Sequence, residues 1–350
     1  MLHLPHETLR RFARAIFLAA GSEAAEAGII ADHLVDASLM GHDSHGVIRI
    51  SKYVDWVRAG LVLPNQHAEI VKDRGTLLVV DGGFGYGQVI GMEAMELAAD
   101  RAHKHGMASL AIRNSGHLGR IGAWPELLAQ RGLASVHFVN TSGFGILVAP
   151  HGGSDRRLSA NPIAAGVPLA GAPPLVLDIA TSVVAEGKIQ VARNKGEQLA
   201  EGLVLDGHGQ PTTDPEAFYA SPPGAILPFG GHKGSGLSFF CEVLAGSLSG
   251  GFASNPMSPT AGRLVNNMLS LVFDPDAFGS AETFAEDVTR LAGWAKASPP
   301  VESGGKVLLP GEIEIATRRD REINGLPIDD ETWRRITASA ASLGVSSPRA

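Results

Sequence analysis

The chain is predicted to adopt a mixed α/β fold of the α+β type, with predominantly helical ends around a β-rich middle. Apolar residues recur at helical spacing over 6–20 (HETLRRFARAIFLAA) and 22–40 (SEAAEAGIIADHLVDASLM), so the chain opens on a helical hairpin. From Thr76 the texture changes to short β-like runs alternating with helical ones, the pattern of a sheet carrying helices. At 350 residues the chain is too long for one small core. We therefore expect two domains: 1–75 together with 281–350 mainly helical, and 76–280 inserted between them.

Element by element, Ser22 with Glu23 and Glu26 reads as the N-terminal cap of the second helix. TLLVVDG (76–82) reads as a strand, VIGMEAMELAADRAHKHG (89–106) as a long helix, and ASLAIRN (108–114) and LASVHFV (133–139) as strands separated by the helical GAWPELLAQRG (122–132). PPLVLDIAT (173–181) and RLVNNMLSLVFDP (263–275) are further strands. The tail holds the helical ETFAEDVTRLAGWAKA (282–297), a loop with the turn LLPGE (308–312), and a last helix from Asp329. Ser221-Pro222-Pro223-Gly224 and Ser298-Pro299-Pro300 read as hinges or surface loops.

Composition narrows the function. The chain is 44% hydrophobic and 19% charged, ordinary values for a soluble enzyme. Its 43 glycines exceed the roughly 7% usual share and cluster in loops, which suggests close backbone approach to ligands. A formal net charge of −7 supplies no basic face for nucleic acid, so local cations must draw any anionic substrate. The single cysteine, Cys241, lies in the apolar helical stretch SGLSFFCEVLAGSL and reads as a structural thiol in a reducing compartment. The apolar run AIFLAA is shorter than a signal segment needs, and no run approaches the ~18 apolar residues of a membrane span. A cytoplasmic protein with no membrane partner is expected.

GHDSHGVIRI (41–50) packs two histidines, an aspartate, a serine and an arginine into a short stretch after a helix. His45 could move a proton near neutral pH, and Arg49 could hold a carboxylate in a two-pronged grip. The same residues could equally form a polar helix end, with Gly41 as cap and His42 and Asp43 in a solvated turn. His117, in the glycine-flanked loop after ASLAIR, is placed to meet a ligand, or else to cap the next helix. No G-x-G-x-x-G fingerprint of a Rossmann domain follows any strand. GGHKGSG (230–236) lacks Walker order, yet its glycines, a helix starting near Ser235 and Lys233 together suggest an anion site; the other reading is a tight turn with a solvated lysine. Neither H-E-x-x-H nor a cysteine pair is present, so no metal site is expected.

These pieces together resemble the type-2 malate/L-lactate dehydrogenase family, also called the malate/L-sulfolactate dehydrogenase family. The resemblance rests on six ordered motifs spanning about residues 8–335. They are Asp43-Ser44-His45-Gly46-Val47 with Arg49 and Tyr53, Ser115-Gly116-His117-Leu118-Gly119, Asn161-Pro162-Ile163, Leu177-Asp178-Ile179-Ala180-Thr181-Ser182 with Gly187-Lys188, Gly231-His232-Lys233-Gly234, and Leu309-Pro310-Gly311-Glu312. The resemblance implies a non-Rossmann nicotinamide-binding domain with a mixed, largely antiparallel sheet, here 76–280, beside the helical domain, in a homodimer. It implies hydride transfer between NAD or NADP and a 2-hydroxy or 2-oxo acid, or in some branches an imino acid or ureidoglycolate. By position, His117 matches the acid/base histidine, and Ser44 and His45 a pair assigned to proton relay or cofactor contact. Arg49 and Tyr53 match substrate-facing residues. Gly119, Arg120, Ile121, Asp178, Ile179, Ala180, His232, Lys233, Gly311, Glu312, Ile313 and Glu314 match cofactor-contacting segments. One departure is Ser159-Ala160, where the family often has Gly-Thr; it removes a hydroxyl and alters the turn before Asn161. A nucleotide-binding protein without catalysis is the rival from another class, disfavoured because it would have no need for His45, Arg49 and His117 together.

Overall fold

The computed structural model describes residues 2–260 and 262–348. The first segment forms β1 (Leu2–Leu4), α1 (His6–Ala19), α2 (Ala24–Leu39), a 3-10 turn at Asp43–His45, α3 (Arg49–Arg58) and β2 (Glu69–Arg74). The middle forms β3 (Leu77–Asp81), α4 (Gly87–His105), β4 (Met107–Ser115), α5 (Ala123–Gln130), β5 (Ala134–Gly143), β6 (Ile163–Leu169), β7 (Ala172–Ile179) and α6 (Glu186–Lys195). It continues through β8 (Val204–Leu205), β9 (Pro211–Thr212), α7 (Pro215–Tyr219), β10 (Ala225–Ile226), α8 (His232–Cys241), a π-helical turn at Glu242–Ser247, and β11 (Leu264–Phe273). The tail forms α9 (Pro275–Phe278), α10 (Ala281–Lys296), α11 (Glu312–Asn324), β12 (Leu326–Ile328) and α12 (Asp330–Ser342).

A seven-stranded mixed sheet runs in the order β2-β3-β4-β11-β5-β6-β7. Only β3 and β4 pair in parallel, because α4 carries the chain back between them; every other neighbour is antiparallel. The small side chains Ala94, Ala98, Ala99 and Ala102 let α4 lie close on Leu78, Val80, Leu110 and Ile112, and Trp124 and Leu128 of α5 extend the same core. A second core joins Leu9, Ile16 and Phe17 of α1 to Ile30 and Leu34 of α2, Ile50 and Tyr53 of α3, and Ile336 of α12. Tyr86 and Val89, at the start of α4, also belong to this second core, so α4 connects the two. A small sheet, β10-β8-β9, closes over a third cluster around Val148, Ile189 and Phe218.

Several expectations need correction. The sheet begins at Glu69, ahead of Thr76, because β2 pairs antiparallel with β3. The cap of α2 is Glu23, with no side-chain cap hydrogen bond, so Ser22 does not serve. α8 starts at His232 rather than near Ser235. Of the terminal segments, α11 and α12 contact α2 and α3, whereas α10 lies on β6. Among the described residues no helix is long and apolar enough to cross a membrane.

Candidate active site

His117 occupies the loop 116–122 between β4 and α5, and three side chains from three elements hold that loop's backbone. Leu118 N donates to Asn266 Oδ1 at 2.9 Å, Arg120 N to His33 Nε2 at 3.0 Å, and Gly122 N to Asp178 Oδ2 at 2.7 Å. Asn266 sits at a bulge in β11, where the register to β4 shifts. Its neighbour Asn267 accepts from Asn114 N, at 3.0 Å, just ahead of the loop. Gly87 presses on the loop from α4: a Cβ there would stand 2.3 Å from the His117 carbonyl oxygen, so only glycine fits.

The imidazole is held through its Nδ1, which lies 2.7 Å from the Tyr53 hydroxyl. Gln88 Nε2 donates to that same hydroxyl at 2.9 Å and to the His117 carbonyl at 3.2 Å. Tyr53 is only 1% exposed. The opposite ring nitrogen, Nε2, has no protein partner among the described residues and is not sealed from solvent.

His45 stacks on His117, with ring centroids 5.3 Å apart and planes inclined by 18°. Its Nδ1 is 2.9 Å from Ser44 Oγ. The turn bearing both residues is pinned where Val47 N donates to Ser38 Oγ, and Gly46 has no side chain to strike that hydroxyl. Arg49 spends its Nε on the Ser44 carbonyl at 2.5 Å, leaving both terminal amino groups without a partner among the described residues. His42 and Asp43 face away, to Glu314 at 3.6 Å and to Arg321 on α11. The polar-helix-end reading therefore describes those two residues, while Ser44, His45 and Arg49 gather with His117.

Burial dominates the electrostatics. It pushes His45 down to about 3, with Arg49 adding to the effect, and holds His117 well below the ordinary imidazole range for the same two reasons. Burial also raises Tyr53 to about 12 and lowers Arg49, while Lys52 is lowered by burial and by Arg49. No described carboxylate forms an ion pair with Arg49 or Lys52. A desolvated cation that Glu186 favours only from a distance, beside neutral imidazoles, suits an anionic ligand that can take a proton.

The residues expected at the cofactor fall into two groups. Arg120, Asp178, Gly311 and Glu314 line one narrow cleft of about 30 Å³ between β7 and α11. Glu312 is tied to Lys296 and Leu309 N, while Ile313 is 60% exposed. His232 instead lines a separate cavity of about 1030 Å³ with His151, Ser235 and Phe239, away from His117. The end of β7 links the two groups, because Phe229 N donates to Thr181 O and Ser182 bridges Pro228, immediately ahead of the 230–234 turn. Most backbone amides of that turn are already used: Gly231, Lys233, Gly234 and Ser235 donate to Pro228, Gly230, Phe229 and Gly231. The expected cradle of free amides is thus absent from those four positions, and the Lys233 side chain, exposed and without an ion pair among the described residues, is left as an anion donor beside the amides of Gly230 and His232.

Sequence reasoning missed Gln88, His33, Asn266 and Asn267. For the two asparagines a signal existed, polar residues side by side in an apolar strand; Gln88 and His33 look like ordinary positions of amphipathic helices.

The family model described as malate/L-lactate dehydrogenase matches residues 4–337. Hydroxycarboxylate dehydrogenase B of Escherichia coli (strain K12) is 41% identical over 97% of this chain and 94% of its own length. An L-lactate dehydrogenase of Cupriavidus necator is 37% identical over 97% and 98%. Among solved structures, sulfolactate dehydrogenase from Methanocaldococcus jannaschii superposes with a TM-score of 0.88 at 33% identity, covering 99% of this chain and 98% of that one.

The buried histidines make stability depend on pH. His33, His45 and His137 are each pushed down to about 3 by burial, so between there and the unfolded value the unfolded chain binds more protons than the native one. Their stabilising contribution is full above about pH 6.5 and is lost as pH falls. The urea midpoint should drop between about pH 7 and 5, a window in which few carboxylates titrate; a flat midpoint there would contradict this burial.

Proposed function

The chain belongs to the malate/L-lactate dehydrogenase family, and on that premise we propose that it interconverts a 2-hydroxy acid and the corresponding 2-oxo acid by hydride transfer with NAD or NADP. The observation that carries this reading is that the Arg49 guanidinium, its terminal amino groups without a partner among the described residues, acts on His117, whose Nε2 likewise has none. Arg49 offers two parallel N–H donors to the substrate carboxylate and so fixes the α-carbon. That orientation supplies much of the rate. His117 Nε2 exchanges a proton with the substrate oxygen, giving it in reduction and recovering it in oxidation. Ser44 orients His45 through Nδ1, leaving the other edge of that ring for substrate or cofactor.

The nicotinamide cofactor, when bound, supplies or accepts the hydride. The residues present fit such a group. Gly311, at φ +91°, has no side chain where a Cβ would press within 3.3 Å of the Val176 backbone, so the turn lies flat along β7 beside Asp178 and Arg120. Lys233 can meet a phosphate. We assign the sheet-bearing middle, 76–280, as the cofactor-binding part, of non-Rossmann type, and the helical ends as the part that supplies Arg49. The substrate is a small acid rather than nucleic acid, in keeping with the net charge. The lone buried cysteine supports a cytoplasmic setting.

A panel of phenylpyruvate, 2-oxoglutarate, oxaloacetate and pyruvate with NADH and NADPH should show oxidation of one cofactor. Turnover confined to cyclic imino acids or ureidoglycolate would move the substrate class, and cofactor binding without any turnover would leave only a nucleotide-binding protein. His117→Ala should lower kcat by about 10²–10⁴ while cofactor affinity stays nearly unchanged. Lys233→Ala should do the reverse, and an unchanged cofactor Kd would remove Lys233 from the phosphate site. A homodimer would cover exposed side chains such as Phe239 and Phe240, which are 59% and 60% exposed. Sedimentation at micromolar concentration should show that dimer; a monomer would refute it.

A further inference from the structure

The hydrogen bonds around Tyr53 decide which nitrogen of His117 carries the proton. The His117 carbonyl can only accept, so the amide group of Gln88 that faces it at 3.2 Å is the NH2. The reversed amide would set two oxygens against each other, and would place both N–H groups where Oε1 now lies buried without a partner. Gln88 therefore donates to the Tyr53 oxygen at 2.9 Å. Among the described residues the hydroxyl's own proton has one acceptor within reach, His117 Nδ1 at 2.7 Å. With Nδ1 accepting, neutral His117 carries its proton on Nε2, the edge open to a ligand.

We infer that Tyr53 is the proton source for the reduction, acting through a His117 that stays neutral throughout, a role that rests on the 2-oxo acid reading of this site. As the C2 carbonyl receives the hydride supplied by the reduced nicotinamide, its oxygen forms a bond to the Nε2 proton and the Nε2–H bond breaks. Nδ1 takes the Tyr53 hydroxyl proton in the same motion. The products are the 2-hydroxy acid, a neutral imidazole protonated on Nδ1, and a tyrosinate that accepts from Nδ1–H and from Gln88. An alkoxide is a stronger base than a phenolate, so the proton moves downhill. Solvent then protonates the open Nε2 while the Nδ1 proton returns to Tyr53. Oxidation runs the same path backwards and starts from the tyrosinate.

The surroundings agree with a neutral relay. The charged and titratable groups facing the pair are Arg49 and Lys52 of α3, His45 of the 3-10 turn, His33 of α2 and Tyr86 ahead of α4. Burial, with Arg49 next, resists an imidazolium at His117, while burial keeps the Tyr53 proton in place, at about 12. Arg49 also steadies a transient tyrosinate, since its charge lowers Tyr53.

Two measurements test this on the full chain. Nitrogen NMR of histidine-labelled protein, with His117→Gln identifying the signal, should show Nε2–H and a bare Nδ1 in the wild type near neutral pH, and a mixture of tautomers in Tyr53→Phe. The solvent-isotope proton inventory of the reduction should be bowed in the wild type, with two protons in flight. In Tyr53→Phe it should be linear, with kcat lowered about a hundredfold. A wild-type Nδ1–H tautomer overturns the relay, and so does a linear wild-type inventory with turnover intact; neither depends on the variant folding. A rate that falls as pH rises through the imidazole range would also overturn it, by making His117 imidazolium the acid. Nε2–H with no turnover on any 2-oxo acid would instead bring down the activity reading, and the relay with it.

Discussion

Three backbone amides in the loop 116–122 are taken by side chains from elsewhere in the fold, and the site depends on where they find those acceptors. A buried N–H without an acceptor costs about 1–3 kcal/mol, so the loop settles only where Asn266, His33 and Asp178 stand together. Those acceptors belong to the central strand β11, the N-terminal helix α2 and the far edge strand β7. His117 is therefore placed by the whole fold at once: shifting either core relative to the other breaks at least one of the three bonds. The same bonds bring Arg120 beside Asp178, so the proposed proton-transfer residue, His117, and the proposed cofactor segment share one short loop.

Desolvation then sets the chemistry. Burying histidines between the two cores keeps them neutral, and burying Arg49 with no carboxylate in direct contact among the described residues, Glu186 acting only at a distance, leaves a cation whose cost an anionic ligand would relieve. Some arginines elsewhere in the helical part are paired with carboxylates. Arg318 meets Asp36 and Arg321 meets Asp43, which clips α11 to α2 and to the turn ahead of His45. The contrast between those closed pairs and the open guanidinium of Arg49 is the electrostatic signature of the site.

Much of the fold was legible because helical and strand periodicities are local. The helices at 6–20 and 22–40, the strand before and after α4, and the apolar run at 263–275 all formed close to their expected bounds. β6 escaped notice because IAAGVPL has neither length nor alternation to mark it; it is a strand because β5 and β7 pair on its two sides. In the site, DSHG with Arg49 and the glycine-flanked His117 stood out by residue type. Gln88 did not, since a glutamine near a helix N-terminus is ordinary until Tyr53 and a carbonyl are found beside it. The turn at 230–234 misled because glycine content reveals a tight backbone but not where its amides point.

By itself the sequence determined which segments become helices and strands, that the chain has helical ends and a β-rich middle, and which side chains can exchange protons or hold an anion. Those properties reside in single residues and in spacings of a few positions. Tertiary structure decided that β11 lies between β4 and β5, that Arg49 has no ion pair among the described residues while Arg321 has one, and that His117 presents Nε2 and hides Nδ1. Each of these depends on partners far apart in the chain, as Tyr53 is from His117, and hydrogen-bond direction and desolvation exist only once those partners meet.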